Sequence, residues 1–188
     1  GILAPMVLRH ARIPFVSYPY EWSFPLLKAA ALLHLDVQIE ALRAGVSLSD
    51  STAYNVQFDG PNPVFIDVLS FRQYRDGEIW AGHRQFCEQF LNPLLLRAYF
   101  GITHNAWFRG NLEGIETSML ARIMPWWRNF SFNVLTHVTM QARLQSAAMV
   151  DNGKSVAKAK TVKLPKLNFE RMLLGLRDWI SDLQPKDT

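Results

Sequence analysis

This sequence predicts a helix-dominated α+β domain with one small antiparallel sheet. Apolar residues recur at three- and four-residue spacing over most of the chain, while strand-like alternation is confined to the region from Asn55 to Asp67. The 188 residues, nearly half apolar and about a fifth charged, suit one globular domain burying roughly 70% of its extended-chain surface.

The first helix has a start and a stop. Ser23 is a candidate N-cap, Pro25 fits the first turn, and Gly45 is a C-terminal stop. Leu26, Ala29, Ala30, Leu33, Val37 and Ala41 repeat at helical spacing and are expected to form its buried face. Next, Asn55-Val56-Gln57-Phe58 alternates polar with apolar, Asp59-Gly60 signals a tight turn, and Pro63 to Ile66 is a second apolar run. That pattern reads as a β-hairpin. Asn55 opens its first strand and Asp67 closes its second, so antiparallel pairing brings both to one end, beside the Asp50 loop.

A loop through Arg75-Asp76-Gly77 leads to a helix from about His83. Asn92-Pro93 is expected to break it, with a new helix running to about Gly101. From Gly101 to Gly114 the chain reads as a loop carrying His104, Asn105, Trp107, Phe108 and Arg109, either a substrate lip or a connection anchored by two aromatics. Helices follow from Thr117 to Met124, stopped by Pro125, and from about Ser131 to Met149. Five lysines against one acid mark Asp151 to Leu167 as a linker or mobile loop. Asn168 then caps a helix whose stripe is Phe169, Met172, Leu173, Leu176, Ile180 and Leu183. The expected layout is a helical module over 1–150 with the hairpin at 55–67, a basic linker over 151–167, and an amphipathic docking helix over 168–184.

Asp50, Asn55 and Asp67 carry the chemistry. An Asp and an Asn five apart, followed by a second Asp after an apolar strand, is an arrangement phosphoryl-transfer sites use. One Asp orients or deprotonates the attacking hydroxyl, while the Asn oxygen and the second Asp hold magnesium, a hard ion that takes oxygen ligands. The competing reading is structural, because Asp and Asn are also common turn residues and caps. Tyr18-Pro19-Tyr20-Glu21-Trp22 either lines a pocket for a flat substrate, through Tyr18, Tyr20, Glu21 and Trp22, or plugs the space beneath the first helix.

The run LSDSTAYNVQFDGPNPVFIDVLSF, from Leu48 to Phe71, resembles the catalytic loop and metal-binding strand of aminoglycoside-phosphotransferase-like kinases. That resemblance implies Asp50 as catalytic base, Asn55 and Asp67 as magnesium ligands, and the C-terminal lobe of a kinase-like fold. The chain departs from the pattern in three ways. Leu48-Ser49 stand where His-Gly precedes the Asp, Tyr54 replaces a small residue, and no Gly-rich loop or Val-Ala-Ile-Lys-like strand lies upstream. A second resemblance covers nearly the whole chain, through YPYEWSFPLLKAAALLHLD, SDSTAYNVQF with PVFIDVLSF, and GHRQFCEQFLNPLLLRA. These segments are similar to a bacterial family of S-adenosylmethionine-dependent methyltransferases, some of them nodulation-related, in which this region precedes the class I methyltransferase domain.

Together the resemblances imply a degenerate kinase-like module N-terminal to a methyltransferase domain, serving substrate, nucleotide-magnesium or partner binding. The alternative is the magnesium-binding lobe of a small-molecule phosphotransferase with Asp50 as base. The implied cofactors are magnesium with ATP, and S-adenosylmethionine only in a following domain. The chain itself has no GxGxxG donor loop and no GxSxG elbow.

The net charge of +4 is not focused on a recognition helix, and the basic segment has no aromatic residues for base stacking, so no nucleic acid is expected. No apolar run approaches membrane-spanning length and no signal peptide is recognisable, so no membrane contact is expected either. Cys87 stands alone, which favours a reducing, cytoplasmic setting. The five histidines show no HExxH spacing and one Cys cannot build a structural zinc site of the usual kind. His83 and Cys87, at i and i+4, share a helix face either as core packing or as the setting of a reactive thiol.

Overall fold

A computed structural model describes residues 10–126, 132–140 and 164–186. A 3-10 turn at Pro19–Glu21 leads into helix α1, Phe24–Arg43, and strand β1, Val46–Leu48. The hairpin follows as β2, Val56–Asp59, and β3, Asn62–Phe65, and then β4, Phe71–Gln73. Helix α2, His83–Phe86, runs through a π turn at Cys87–Leu91 into α3, Asn92–Phe100. Two short helices come next, α4 at Asn105–Gly110 and α5 at Thr117–Ile123. Helix α6, Phe132–Val134, continues as a second π turn at Leu135–Met140, and α7 is Lys166–Asp182. The fold is α+β and helix-dominated, as the sequence predicts.

Sheet structure falls in two antiparallel pairs. The hairpin has the expected place, with Val56 opposite Phe65 and Asp59 opposite Asn62 across a two-residue loop, but its strands stop short of Asn55 and Asp67, which lie in the flanking turns. The second pair joins β1 to β4, with Leu48 opposite Phe71, and was not legible because three-residue strands are too short to alternate. It matters for the site: it pins the start of the Asp50 loop to the segment that follows Asp67.

Helix α1 begins after Ser23 and ends before Gly45, as expected, but its face is rotated from the expected one. Leu27, Ala31, Leu35 and Leu42 are fully buried, whereas Leu26, Leu33 and Val37 are only half-buried. The buried face contains two polar residues, His34 and Gln38, which hide it from an apolar count. Gln38 works there: its Oε1 accepts from the Leu48 N–H at 3.0 Å and its Nε2 donates to Ser47 Oγ at 3.2 Å, fastening β1.

Helix α7 packs along α1, burying Phe169, Leu173, Leu176 and Ile180, so the apolar stripe foreseen for docking is used within this chain. Each such side chain contributes roughly 1.5–3 kcal/mol. That outweighs the flanking surface ion pairs, Arg177 with Asp36 and Arg43 with Glu170, which water screens. Pro165 rather than Asn168 precedes its first turn. The basic segment foreseen at 151–167 lies outside the described residues up to 163. Leu164 then bonds Gly77, its N–H to the carbonyl at 3.0 Å.

Asn92-Pro93 does not break the helix. The π turn just before it widens the coil, with the Asn92 N–H reaching back to the Cys87 carbonyl, and this accommodates a proline that has no N–H of its own. Asn92 is buried instead of capping, donating through Nδ2 to the Ile115 carbonyl at 2.7 Å and to Thr117 Oγ1 at 2.9 Å. Among the described residues no helix is long and apolar enough to cross a membrane.

Candidate functional site

The loop after β1, the start of β2 and the turn after β3 converge on one hydroxyl. Asp50, Asn55 and Asp67 come together around Ser70. Ser70 Oγ lies 2.9 Å from Asp50 Oδ1 and within hydrogen-bonding range of Asp67 Oδ2. Asn55 Nδ2 donates to Asp50 Oδ1 at 3.0 Å and approaches Ser70 Oγ at 3.4 Å. The two carboxylates therefore stand within two hydrogen-bond lengths of each other. Asn55 and Ser70 are buried, while Asp50 and Asp67 are half-buried and face outward. Asp67 also plays the structural part its residue type suggests, its Oδ1 accepting from the Leu69 N–H at 2.9 Å to cap the turn at Val68–Ser70. Ser70 went unnoticed in the sequence, since a serine three residues past an Asp carries no distinguishing signal.

The cluster gathers two carboxylates around a single hydroxyl. A serine hydroxyl has one proton and can donate to only one of two carboxylates. Asn55, expected as a metal ligand, turns its amide nitrogen toward Asp50 and Ser70, so the oxygens gathered here are those of the two carboxylates and the hydroxyl.

Helix α2 and the π turn that continues it brace the loop. Gln85 Oε1 accepts from the Ser51 N–H at 2.8 Å, and Gln89 Oε1 accepts from the Ala53 N–H at 2.8 Å and from Thr52 Oγ1 at 2.9 Å. Gly82 permits the approach: a Cβ there would stand 1.9 Å from Ser51 Oγ and 2.7 Å from its Cβ. Loop 50–55 is thus held from beneath by two amides one helical turn apart.

The aromatic segment is divided in its roles. Trp22 is fully buried, its Nε1 donating to Ser17 Oγ at 2.9 Å and its ring meeting Phe58 edge-on, which makes it a plug. Tyr18 and Tyr20 stack at 5.4 Å with Arg109 over the Tyr20 ring, and Glu21 accepts from the Tyr18 N–H at 2.9 Å. Glu21 and Trp22, with Phe15, Ser17 and Phe58, border a cleft of about 450 Å³. The expected loop at 101–114 instead contains α4, whose Asn105 Nδ2 donates to the carbonyls of Tyr20 (2.9 Å) and Trp22 (3.1 Å). This connection anchors the aromatic segment.

A second group of ligand-type side chains was only half visible in the sequence. His83 Nε2 lies 2.9 Å from His137 Nδ1 and 3.6 Å from Cys87 Sγ. Burial pushes the Cys87 thiol well above its ordinary range, with the Glu88 charge adding to it, so a reactive thiolate is not what this setting produces. His137 comes from 54 residues away, and no spacing rule links it to the His83–Cys87 pair.

No family model matches the chain, and no solved structure matches it. The chain is similar to the nodulation protein NoeA of Rhizobium meliloti (strain 1021), with 48% identity over 178 residues, or 95% of this chain. It spans 37% of the length of that relative.

Proposed function

We propose that this chain is the kinase-like module of a longer, cytoplasmic methyltransferase polypeptide acting in nodulation. In this reading it binds a magnesium–nucleotide or similar anionic ligand and itself transfers neither phosphoryl nor methyl groups. The convergence of Asp50, Asn55 and Asp67 on Ser70 carries the reading. Magnesium held there would neutralise the two carboxylates and present its remaining positions to phosphate oxygens. The absence of a Gly-rich loop and a phosphate-pairing Lys from the sequence removes much of the positioning that phosphoryl transfer depends on. S-adenosylmethionine would bind in a part of the polypeptide outside this chain.

Two observations support a module that works against more of its own polypeptide. The similarity to NoeA covers about a third of that protein. Beside the oxygen cluster, Ile66, Val68, Leu69 and Phe71 are exposed, Leu69 at 90%, an apolar rim that suits packing against a neighbouring domain.

Calorimetry with magnesium and ATP, on the wild type and Asp67→Ala, tests the reading. Magnesium-dependent binding that disappears in the variant, without turnover, is expected. Binding untouched by Asp67→Ala would place the nucleotide elsewhere, and robust turnover by the wild type would make Asp50 the base of a working phosphotransferase.

A further inference from the structure

Helix α2 and the two π turns bring together a second set of ligand-type side chains, His83 from α2 among them. Cys87 opens the first π turn and His137 sits within the second. Such turns recur where a helix is adjusted for function. The Nε2, Sγ and Nδ1 atoms of His83, Cys87 and His137 all lie within 4.8 Å of one another. We propose that His83 Nε2, Cys87 Sγ and His137 Nδ1 form a zinc-binding site with an open fourth position.

The distances suit that ion. With Zn–N near 2.0–2.1 Å and Zn–S near 2.3 Å, tetrahedral ligands stand about 3.3 Å apart for two nitrogens and about 3.6 Å for nitrogen and sulfur. The Cys87–His83 separation, 3.6 Å, already has that value, and the two imidazoles, at 2.9 Å, need to part by only a few tenths of an ångström. Two imidazoles and a thiolate are borderline-soft donors that select zinc over magnesium, which separates this site from the all-oxygen cluster on chemistry alone.

The surroundings support the assignment. Trp179 of α7 packs near-parallel to the His137 ring at 6.3 Å and fixes its orientation. His137 also borders a cleft of about 380 Å³ lined by Asn133, Thr136, Asn168 and Arg171, which gives the fourth position access to water or to an anionic ligand. On binding, the Cys87 thiol loses its proton to solvent as the S–Zn bond forms, with no change of oxidation state.

Cobalt substitution tests the site directly. The purified protein, stripped with chelator and titrated with Co²⁺, is expected to bind one equivalent and to show a thiolate-to-cobalt charge-transfer band with tetrahedral d–d absorption. Zn²⁺ should displace the cobalt. Cys87→Ser should abolish the charge-transfer band, and His137→Gln should weaken zinc binding about a hundredfold or more, since even outer-shell partners are worth 10–100-fold. A wild-type spectrum without a sulfur band overturns the proposal whether or not the variants fold, as does zinc binding that Cys87→Ser leaves unchanged.

Discussion

Helix α2 with the π turn that continues it separates two clusters built from opposite kinds of donor, and they differ most in how sequence specifies them. On one side Gln85 and Gln89 hold the loop that carries Asp50 and Asn55. His83 and Cys87 point to the other side, since two residues along a helix is more than half a turn, and there they meet His137. The oxygen cluster draws its three acidic and amide groups from 18 consecutive residues, Asp50 to Asp67, folded by a local hairpin. The nitrogen–sulfur cluster needs a residue 54 positions away, brought in by the second π turn, which packs against α5 and meets Trp179 of α7. Local chemistry is written in spacing; long-range chemistry is written in packing.

The π turn at Cys87–Leu91 is common to both clusters, and Gly114 holds it. Gly114 has φ of +95°, and a Cβ there would stand 2.3 Å from the Glu88 carbonyl oxygen, which accepts from the Ile115 N–H. Gly114→Ala is therefore expected to cost roughly 3 kcal/mol or more, combining backbone strain with a backbone clash. Denaturant unfolding measures it. Loss of both proposed metal sites together is the expected companion, and a variant that keeps either site intact would break the idea that one turn supports the two.

Gln89→Ala should separate them. It leaves the buried Ala53 N–H and the Thr52 hydroxyl without their shared acceptor, a cost of about 2 kcal/mol. Manganese or magnesium affinity should fall as the loop loosens, while the cobalt spectrum stays unchanged. Equal damage to both would show that Gln89 acts through general stability.

His34→Leu probes the core between the clusters. The His34 ring is buried among Phe65, Phe86 and Phe90, and neither nitrogen has a hydrogen-bond partner among the described residues. Burial lowers it from 6.5 to about 3. Between those values the unfolded chain takes up a proton that the folded chain refuses, so this contribution is complete above 6.5 and lost as pH falls toward 3, at about 1.4 kcal/mol per pH unit. His34→Leu is expected to be neutral or stabilising by about 1 kcal/mol at pH 7 and to flatten the acid limb of a thermal-stability profile. An acid limb unchanged in the variant would contradict this.

Several elements were legible because their signals are local. Ser23 and Gly45 bound α1, Asp59-Gly60 closes the hairpin, and Pro125 ends α5's neighbourhood, each through backbone chemistry that needs no partner. The failures share a different cause. The buried face of α1 includes His34 and Gln38, whose fit depends on Phe90 and Leu48. Pro93 sits inside a helical run because the turn before it widens, and α4 forms where its residues dock on Tyr20 and Trp22. Tertiary contacts overrode local preference in the first and the third, and a local change of helix type did so at Pro93. Within the site, Asp50, Asn55 and Asp67 stood out by type and spacing, whereas Ser70, Gln85 and Gln89 became meaningful only through what they touch.

Manganese binding followed by electron paramagnetic resonance tests the central claim most directly, because this hard ion reports on oxygen sites in magnesium's place. The wild type should bind Mn²⁺ in competition with Mg²⁺, Asp67→Ala should lose that binding, and Cys87→Ser should keep it in full. Manganese binding that survives Asp67→Ala, or that falls with Cys87→Ser instead, would contradict the account.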